Sequence, residues 1–338
     1  MSREVKEYLR AKAKANPKRV VFPEANEERI LRAARQVADL GIAHPILIGK
    51  PAAIAAQAAG LGISCEGIAV VDHTDEALVD EYVARFVKSN ATLPPKTLKR
   101  MARLPLNFAV LMEAVGEADA TVAGLVHTTG EVILAAQAIL GMQPGIETIS
   151  SMGIWSIPGW EGPDGDLLIH ADCAVCPDPS ANELADIAIT TADTTRTLLD
   201  LEPRIALLSF STKGSAQHEK VDRVLEALAI VRQRRPELLV DGEFQVDSAI
   251  VPAVAARKVK EPSAVAGKAN ILIFPDLNSG NIGVKLVQIF GKAASYGPLL
   301  QGFAKPITDL SRGAQVEDIV GAVTNVVVLA QTKTEVPA

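Results

Sequence analysis

One segment near the end of the chain combines residue types suited to acyl and phosphate chemistry. The sequence AKPITDLSRGAQVEDI holds Asp309, Ser311, Arg312, Gly313 and Asp318 beside an otherwise apolar stretch. Arginine offers a fork of donors that matches phosphate, serine can donate to a developing oxyanion, and aspartate can act as a base. The same spacing also fits a solvated loop, with Asp318 favoured in a first helical turn by the helix dipole. Spacing alone favours this second interpretation.

A second candidate is GLVHTTGE, a loop expected to follow a strand. Ligands of open α/β sheets bind at the carboxyl ends of strands. Gly124 ends the predicted strand, and His127, Thr128 and Thr129 precede an apolar helix. Backbone N–H groups and hydroxyls at a helix start suit an anion. The alternative is that Thr128 or Thr129 is only a helix N-cap.

Two further loops have the same predicted position. In SFSTKGSAQHEK, Ser211 and Lys213 resemble an anion cradle, but the order of residues is not that of a Walker loop. In FPDLNSGNIGVKL, Gly280, Asn281 and Gly283 would let the backbone approach a ligand before the next helix. Such a glycine pair is also common in ordinary turns, so both interpretations stay open.

The elements that would position these loops alternate between strand and helix patterns. This alternation predicts βα units and a parallel sheet. Asn26 is expected to cap the first of these helices, and the segment from Gly145 to Gly165, rich in Gly, Pro and Ser, is expected to be a long loop where the domain changes. We therefore predict an α/β protein with two three-layer domains and mainly parallel sheets. Residues 1–145 with 305–338 would form the first domain and 146–304 the second.

Composition limits the classes of function. The 338 residues are 48% hydrophobic and only 4% aromatic, as expected for an aliphatic core between helices. The net charge is −6 and there is no long basic run, which argues against a nucleic-acid or membrane-surface binder. No apolar stretch reaches the roughly 18 residues of a membrane span, and no leader pattern is present. The expected location is the cytoplasm.

The cysteines do not indicate a metal site. Cys173 and Cys176 form a single C-x-x-C, and none of the five histidines has zinc-ligand spacing to it. We expect two ordinary thiols, with a reactive redox pair as the alternative. No metal is predicted.

Six motifs in order resemble the phosphate acetyltransferase (phosphotransacetylase) family. The likeness covers most of the chain and is loosest before Ala118. The motifs are RVVFPEANEERIL, SFSTKGSAQHEKVD, VDGEFQVDSAIVP, GKANILIFPDLNSGNIG, GPLLQGFAKP and DLSRGAQVEDIV.

The resemblance implies a reversible reaction in which acetyl phosphate and coenzyme A give acetyl-CoA and phosphate. It implies two α/β domains with the active site in the cleft between them, a C-terminal helix that packs on the first domain, and a homodimer. No cofactor is expected, because coenzyme A is a substrate. By the same likeness, Asp318 takes the thiol proton, Ser311 hydrogen-bonds the tetrahedral intermediate and Arg312 holds phosphate. The remaining substrate-binding residues implied by the match are Arg85, Thr128, Thr129, Ser211, Lys213, Gly280, Asn281, Gly283 and Gly313.

Two positions depart from the family pattern. Leu134 replaces an arginine that usually follows the HTT loop, and Val284 replaces a tyrosine after the NIG turn. Both changes predict a less polar pocket, and hence either a longer acyl group or weak binding of acetyl phosphate, unless Lys213 or Lys285 supplies the missing charge. Two other functions stay as alternatives: a non-catalytic sensor module, and a nicotinamide-dependent dehydrogenase of the isocitrate or isopropylmalate type, whose metal-binding aspartates are not found.

Overall fold

The computed structural model describes residues 2–89 and 93–332. Apart from the first three residues, the chain divides into two compact units. The terminal unit comprises Glu4–Gln143 and Phe303–Ala338, and the central unit comprises Pro144–Gly302. Within the described residues, no helix is both long and apolar enough to cross a membrane.

The described residues form eleven strands and thirteen helices. The strands are β1 (Lys18–Phe22), β2 (Ala43–Ile48), β3 (Ala69–Val71), β4 (Ala120–Ala123), β5 (Ser150–Ser156), β6 (Leu167–Ala171), β7 (Arg204–Leu208), β8 (Leu239–Phe244), β9 (Ile271–Ile273), β10 (Ala294–Gln301) and β11 (Ile307–Asp309). The helices are α1 (Ser2–Ala15), α2 (Glu28–Asp39), α3 (Pro51–Gly60), α4 (Glu76–Ser89), α5 (Pro95–Met101), α6 (Pro105–Ala114), α7 (Thr129–Ile139), α8 (Ala181–Leu199), α9 (Glu219–Arg234), α10 (Val246–Ile250), α11 (Pro252–Lys258), α12 (Leu277–Phe290) and α13 (Val316–Gln331).

The terminal unit is built on a parallel sheet in the order β11-β4-β1-β2-β3. Its central strand β1 has Val20, Val21 and Phe22 fully buried, as expected where helices cover a parallel sheet. Helices α6 and α13 both pack on β1 and β4, and α13 also packs on α2. These contacts fix the positions of the loops that follow β1, β4 and β11.

The central unit has a mixed sheet in the order β10-β5-β6-β9-β7-β8. Strands β6, β9, β7 and β8 pair in parallel, whereas β5 pairs antiparallel with β6 and β10. Helix α8 packs across the sheet, and α9 packs on β7 and β8. The prediction of an α/β fold with mainly parallel sheets is confirmed.

Two local predictions are wrong. The expected loop between Gly145 and Gly165 contains β5, whose seven residues are all buried. Its serines resemble loop residues in sequence, but Ser151 and Ser156 donate to buried aspartates, which removes the cost of burying the hydroxyls. Helix α2 begins at Glu28 with Glu27 at the N-cap position, so Asn26 is not the cap.

Candidate active site

The loops that follow β1, β4 and β11 meet at one edge of the terminal-unit sheet. These strands are neighbours and run parallel, so their carboxyl ends share that edge. Asp309 at the end of β11 lies opposite Ala123 at the end of β4, and the Leu310 N–H donates to the Ala123 carbonyl at 2.7 Å. The segment Leu310–Gly313 therefore lies directly beside Gly124–Thr129.

Glu24, which follows β1, was not among the residues predicted from the sequence. Its buried carboxylate accepts hydrogen bonds from the four successive backbone N–H groups of Gly124–His127 at 2.8–3.1 Å. Burial raises the pKa of Glu24, but these bonds and one from the His127 ring outweigh it and hold the pKa at about 2. The backbone N–H groups that the sequence suggested for phosphate binding therefore already donate to a carboxylate of the protein itself. The only sequence signal is an acid directly after a buried strand.

His127 forms an ion pair with Glu24 through its ring. The distance from Nδ1 to the Glu24 carboxylate is 2.8 Å, and the histidine side chain is 25% exposed. The hydrogen bond to Glu24 raises the pKa of His127 above its usual value, partial burial opposes the rise, and the charges of Glu24 and Glu131 add to it. The pair therefore favours the protonated ring.

The two threonines of this loop have different partners. Thr128 caps α7: its side chain accepts from the Glu131 N–H, and Glu131 accepts from the Thr128 N–H at 2.7 Å. The N-cap interpretation is thus correct for Thr128. Thr129 instead donates its hydroxyl to Asp309 across the two loops. Burial raises the pKa of Asp309, and its second oxygen has no partner among the described residues.

Gly124 permits this close approach of the two loops. Its φ of +117° lies in a region that L side chains rarely adopt. A Cβ at this position would stand 2.3 Å from Asp309 Oδ1 and 2.4 Å from the Leu310 nitrogen. Only glycine fits between the two segments without displacing one of them.

Ser311 and Arg312 lie exposed in the loop after β11. The Ser311 oxygen accepts from the Gly313 N–H at 3.3 Å, which leaves its hydroxyl hydrogen free to donate. Arg29 holds the loop backbone by donating to the carbonyls of Arg312 and Ala314, each at 2.9 Å. Within the described part of the terminal unit, no acceptor pairs with the Arg312 guanidinium.

Asp318 lies in the first turn of α13. One of its carboxylate oxygens accepts from the Gln315 N–H at 2.8 Å, so the residue serves as a helix cap, as the alternative from the sequence predicted. The side chain is exposed, and its other oxygen has no partner within the described part of the terminal unit. Capping and proton acceptance are therefore compatible in this geometry.

Arg85 lies on α4 and its guanidinium is already engaged. It contacts Glu117 at 2.5 Å, Glu81 at 3.3 Å and the Val115 carbonyl at 2.8 Å. The hydrogen bond to Glu117 raises the pKa of Arg85. Its predicted role in substrate binding stays a prediction.

In the central unit, the loop after β7 is also filled by carboxylates of the protein. Ser211 donates to Glu243 at 2.7 Å, and the Gly214 N–H donates to the same carboxylate at 2.8 Å. Lys213 pairs with Asp241 at 2.6 Å. Neither the hydroxyl nor the ammonium that suggested an anion cradle is free in this arrangement.

The predicted glycine loop before α12 is helical instead. Helix α12 begins at Leu277, capped by Asp276, so Gly280, Asn281 and Gly283 lie in its first two turns. A Cβ on Gly280 would stand 2.1 Å from the Asp172 carbonyl, and one on Gly283 would stand 3.0 Å from the ring of Phe274. The glycines therefore allow the helix to pack closely on the end of the sheet, and Asn281 donates to the Cys173 carbonyl.

The C-x-x-C segment does not have the environment of a reactive pair. Asp172 accepts from the N–H groups of residues 174–176. Burial raises the pKa of Cys173 strongly and that of Cys176 to about 12, so both are thiols rather than thiolates. In the described residues, no cluster of three or more His, Cys, Asp or Glu side chains could hold a metal ion.

The two departures from the family pattern have different surroundings. Leu134 is 67% exposed on α7, whereas Val284 is 7% exposed and belongs to the hydrophobic core of the central unit, beside Phe274. Val284 is therefore a packing residue. A cavity of about 590 Å³ opens at the starts of α9 and α12, and its basic residues are Lys220 and Arg223.

The predicted residues divide between the two units. Thr128, Thr129, Ser311, Arg312 and Gly313 share the carboxyl edge of the terminal-unit sheet. The predicted residues that belong to the central unit are Ser211, Lys213, Gly280, Asn281 and Gly283.

A family model, a curated relative and two solved structures all match nearly the whole chain. Residues 4–327 match the family model described as Phosphate acetyl/butaryl transferase. The phosphate acetyltransferase of Clostridium acetobutylicum is 44% identical over 322 residues, which are 94% of this chain and 96% of that protein. Two solved structures match with a TM-score of 0.89, each over 97% of this chain and 98% of its own. They are the EutD phosphotransacetylase from Staphylococcus aureus, at 32% identity, and a phosphotransacetylase from Streptococcus pyogenes, at 37%.

The two α/β units carry polar loops at the carboxyl ends of their strands, where open α/β sheets bind ligands. Since the match extends over nearly the whole chain, it identifies the family. The chain belongs to the phosphate acetyl/butaryl transferase family and is an acyltransferase. The resemblance found in the sequence is confirmed, and the dehydrogenase alternative is left without support.

Proposed function

We propose that this enzyme transfers an acetyl group reversibly between coenzyme A and inorganic phosphate. The observation that carries the proposal is the set of free polar groups on Ser311, Arg312 and Asp318 in one exposed segment, while the other predicted anion-binding groups have internal partners. The relatives with matching sequence are named phosphate acetyltransferases. No cofactor is needed, because coenzyme A itself is a substrate.

Arg312 is proposed to hold phosphate or the phosphate group of acetyl phosphate. Its guanidinium has no acceptor within the described part of the terminal unit, and a planar fork of donors matches two phosphate oxygens. Arg29 fixes the backbone at this residue and two positions after it, through the carbonyls of Arg312 and Ala314. The loop therefore presents the side chain without having to reorganise first.

Ser311 is proposed to stabilise the tetrahedral intermediate. When a thiolate or phosphate attacks the acyl carbon, negative charge develops on the carbonyl oxygen. The Ser311 oxygen already accepts from the Gly313 N–H, so the hydroxyl hydrogen can point outward to this oxyanion. One such donor is worth roughly 3 kcal/mol of transition-state stabilisation.

Asp318 is proposed to remove the proton from the coenzyme A thiol. A free thiol has a pKa of about 8.5, so little thiolate is present at neutral pH and a positioned base is useful. The carboxylate oxygen that does not cap α13 can accept this proton. In the reverse direction the same oxygen returns the proton to the leaving thiolate.

The experiment compares the wild-type enzyme with Asp318→Asn. Asparagine keeps an oxygen that can accept from the Gln315 N–H, so the cap of α13 is retained while the base is lost. Formation of the thioester from acetyl phosphate and coenzyme A is followed by its absorbance, and a loss of about 10²–10⁴-fold in kcat is expected. Unchanged activity in the variant would reject the assignment.

The matched control is Glu317→Gln, which neutralises the neighbouring acid. Glu317 pairs with Lys6 and with Arg10, so this variant tests for loss of a charge in the same helical turn. We expect kcat to stay near the wild-type value. Equal losses in both variants would point to disruption of α13 instead of a lost base.

The same assay decides the alternative of a longer acyl group. The wild-type kcat/KM is measured with acetyl-, propionyl- and butyryl-CoA in the presence of phosphate. A strong acetyl preference with an ordinary phosphate KM would reject the longer-chain alternative that Leu134 raises. A folded wild-type protein without activity on any of the three would favour the non-catalytic sensor module.

We further propose that the enzyme is a homodimer that pairs through α12. Four large apolar side chains share the outer face of this helix: Ile282, Leu286, Ile289 and Phe290, exposed by 57%, 50%, 68% and 79%. Leu286 and Phe290 also line an apolar cavity of about 500 Å³ within the central unit. Monomers rarely expose such a patch, and a second copy of the chain supplies the same apolar surface around a two-fold axis.

A further inference from the structure

The phosphate subsite proposed above needs more positive charge than one arginine supplies. Inorganic phosphate and acetyl phosphate are largely dianions at neutral pH, and a dianion leaving water is best held by more than one charged donor. Arg312 is one such donor. The backbone N–H groups of Gly124–His127, on the neighbouring loop, are occupied by Glu24 and cannot be a second.

His127 is the basic side chain that the neighbouring loop does offer. Its Nδ1 is 2.8 Å from Glu24, and within the described part of the terminal unit its Nε2 has no hydrogen-bond partner. A quarter of the side chain is exposed, so Nε2 can reach a ligand. The ring is fixed from behind, because Glu24 also binds the backbone N–H of the same residue.

His127 and Arg312 lie close to the same acidic residue. The hydrogen bonds from Thr128 lower the pKa of Glu131, and the charges of His127 and Arg312 contribute further. The loops that carry the two basic residues are joined by the Thr129–Asp309 hydrogen bond. A ligand on Arg312 therefore lies beside the loop of His127.

We propose that His127, kept protonated by Glu24, donates through Nε2 to the phosphate group that Arg312 holds. The inference rests on the proposed function, since it assigns a second donor to the same subsite. Glu24 is then a positioning residue: it fixes the ring, selects the protonated form and stays buried behind it. The charges that act on the ring are those of Glu24 and Glu131. Arg312 acts on Glu131, and Glu24 acts on Asp309.

The proposal predicts how anion affinity depends on pH. The hydrogen bond from Glu24 raises the pKa of His127, so the charged ring is present at low pH and is lost as the pH rises through that elevated pKa. Phosphate itself changes charge near neutral pH, whereas sulfate stays a dianion throughout. The inhibition constant of sulfate, measured in competition with phosphate, therefore reports the charge of the protein.

The test compares His127→Asn with the wild-type enzyme. The asparagine amide can take the place of Nδ1 and keep the bond to Glu24, while the outer donor and the charge are lost. We expect sulfate inhibition and phosphate KM to weaken about tenfold or more at pH 6.5, as for loss of one charge-assisted hydrogen bond. The KM for acetyl-CoA should change little. His44→Gln, which alters an exposed histidine of β2, is the control and should match the wild-type enzyme.

A second variant, Glu24→Gln, tests the positioning role. It should lower the pKa of His127, measured by NMR titration of the ring, and shift the loss of sulfate affinity to lower pH. A wild-type pH profile in His127→Asn would overturn the proposal, as would an unshifted histidine titration in Glu24→Gln. If either result is found while acetyl transfer still requires Asp318, the proposed function stands and only the role of His127 is refuted. Failure of the two proposals can therefore be distinguished.

Discussion

Two loops of the candidate site approach each other closely at Gly124, and Gly124→Ala should damage the site. A methyl group there would stand 2.3 Å from Asp309 Oδ1, 2.4 Å from the Leu310 nitrogen and 2.6 Å from the Leu310 oxygen. A Cβ closer than 3.0 Å to another atom essentially never occurs, so the Leu310 backbone, 2.4 Å away, must be displaced or Gly124 must shift. The φ of +117° adds backbone strain for alanine.

The expected loss of stability combines the backbone strain with the weakening of one hydrogen bond. Strain of an L residue in a sparsely populated region costs about 1–3 kcal/mol. Weakening the bond from the Leu310 N–H to the Ala123 carbonyl costs about 1 kcal/mol more. We expect a loss of about 2–4 kcal/mol in the free energy of unfolding. A displacement of Leu310 carried to the adjacent Ser311 and Arg312 should reduce kcat/KM by roughly 10- to 10²-fold.

Denaturant unfolding and steady-state kinetics measure the two effects on the same preparation. The control is Gly321→Ala within α13, where a Cβ meets nothing within 4 Å. That variant should be unchanged or slightly more stable, because alanine favours the helix over glycine. Wild-type kcat/KM in Gly124→Ala would show that the loops after β4 and β11 need not touch for catalysis.

Two further predictions concern the buried acid of α6 and the face of α12. Burial raises the pKa of Glu113 to about 8, so its contribution to stability is present below the usual value of 4.5 and is lost as the pH rises through 8. The unfolding free energy of the wild-type protein should therefore fall between pH 5.5 and 8.5, and Glu113→Gln should make this fall smaller by a few kcal/mol. An identical pH profile in the variant would contradict this. If the apolar face of α12 joins two copies of the 35.7 kDa chain, light scattering should show a dimer. Phe290→Glu should convert this dimer to a monomer, whereas Leu225→Glu, on the exposed face of α9, should leave it dimeric. A monomeric wild-type protein would refute the interface.

Sequence periodicity predicted the long elements well. The helix α13 spans the residues expected, because its apolar positions recur at helical spacing. Strand β5 was missed, since its small and polar residues resemble a loop and only its pairing with β6 and β10 makes it a strand. Helix α12 was placed too late, because its first turns are rich in glycine for packing reasons that involve Asp172, about a hundred positions away.

The sequence could not show which hydrogen-bonding groups of the candidate site are free and which already have a partner within the protein. A loop such as Gly124–Thr129 looks like an anion cradle, but its partner Glu24 lies 100 residues earlier. The Thr129–Asp309 bond joins residues 180 apart. Local spacing contains no information on such contacts, which only the order of the strands in the sheet creates. The sequence therefore located loops after β4, β7 and β11 but not the internal partners of their donors, and it placed a loop where α12 begins.

Internal carboxylates take up backbone donors at several strand ends. Glu24 accepts from the N–H groups after β4, Asp172 accepts from those after β6, and Glu243 accepts from the Gly214 N–H in the loop after β7. Each carboxylate satisfies donors that would otherwise be costly to bury, and so fixes a loop before any ligand arrives. A second anion cannot enter these positions without displacing the first. In the proposals above, recognition of phosphate therefore falls to charged side chains that extend beyond the loops, namely Arg312 and the outer nitrogen of His127 on the terminal-unit edge.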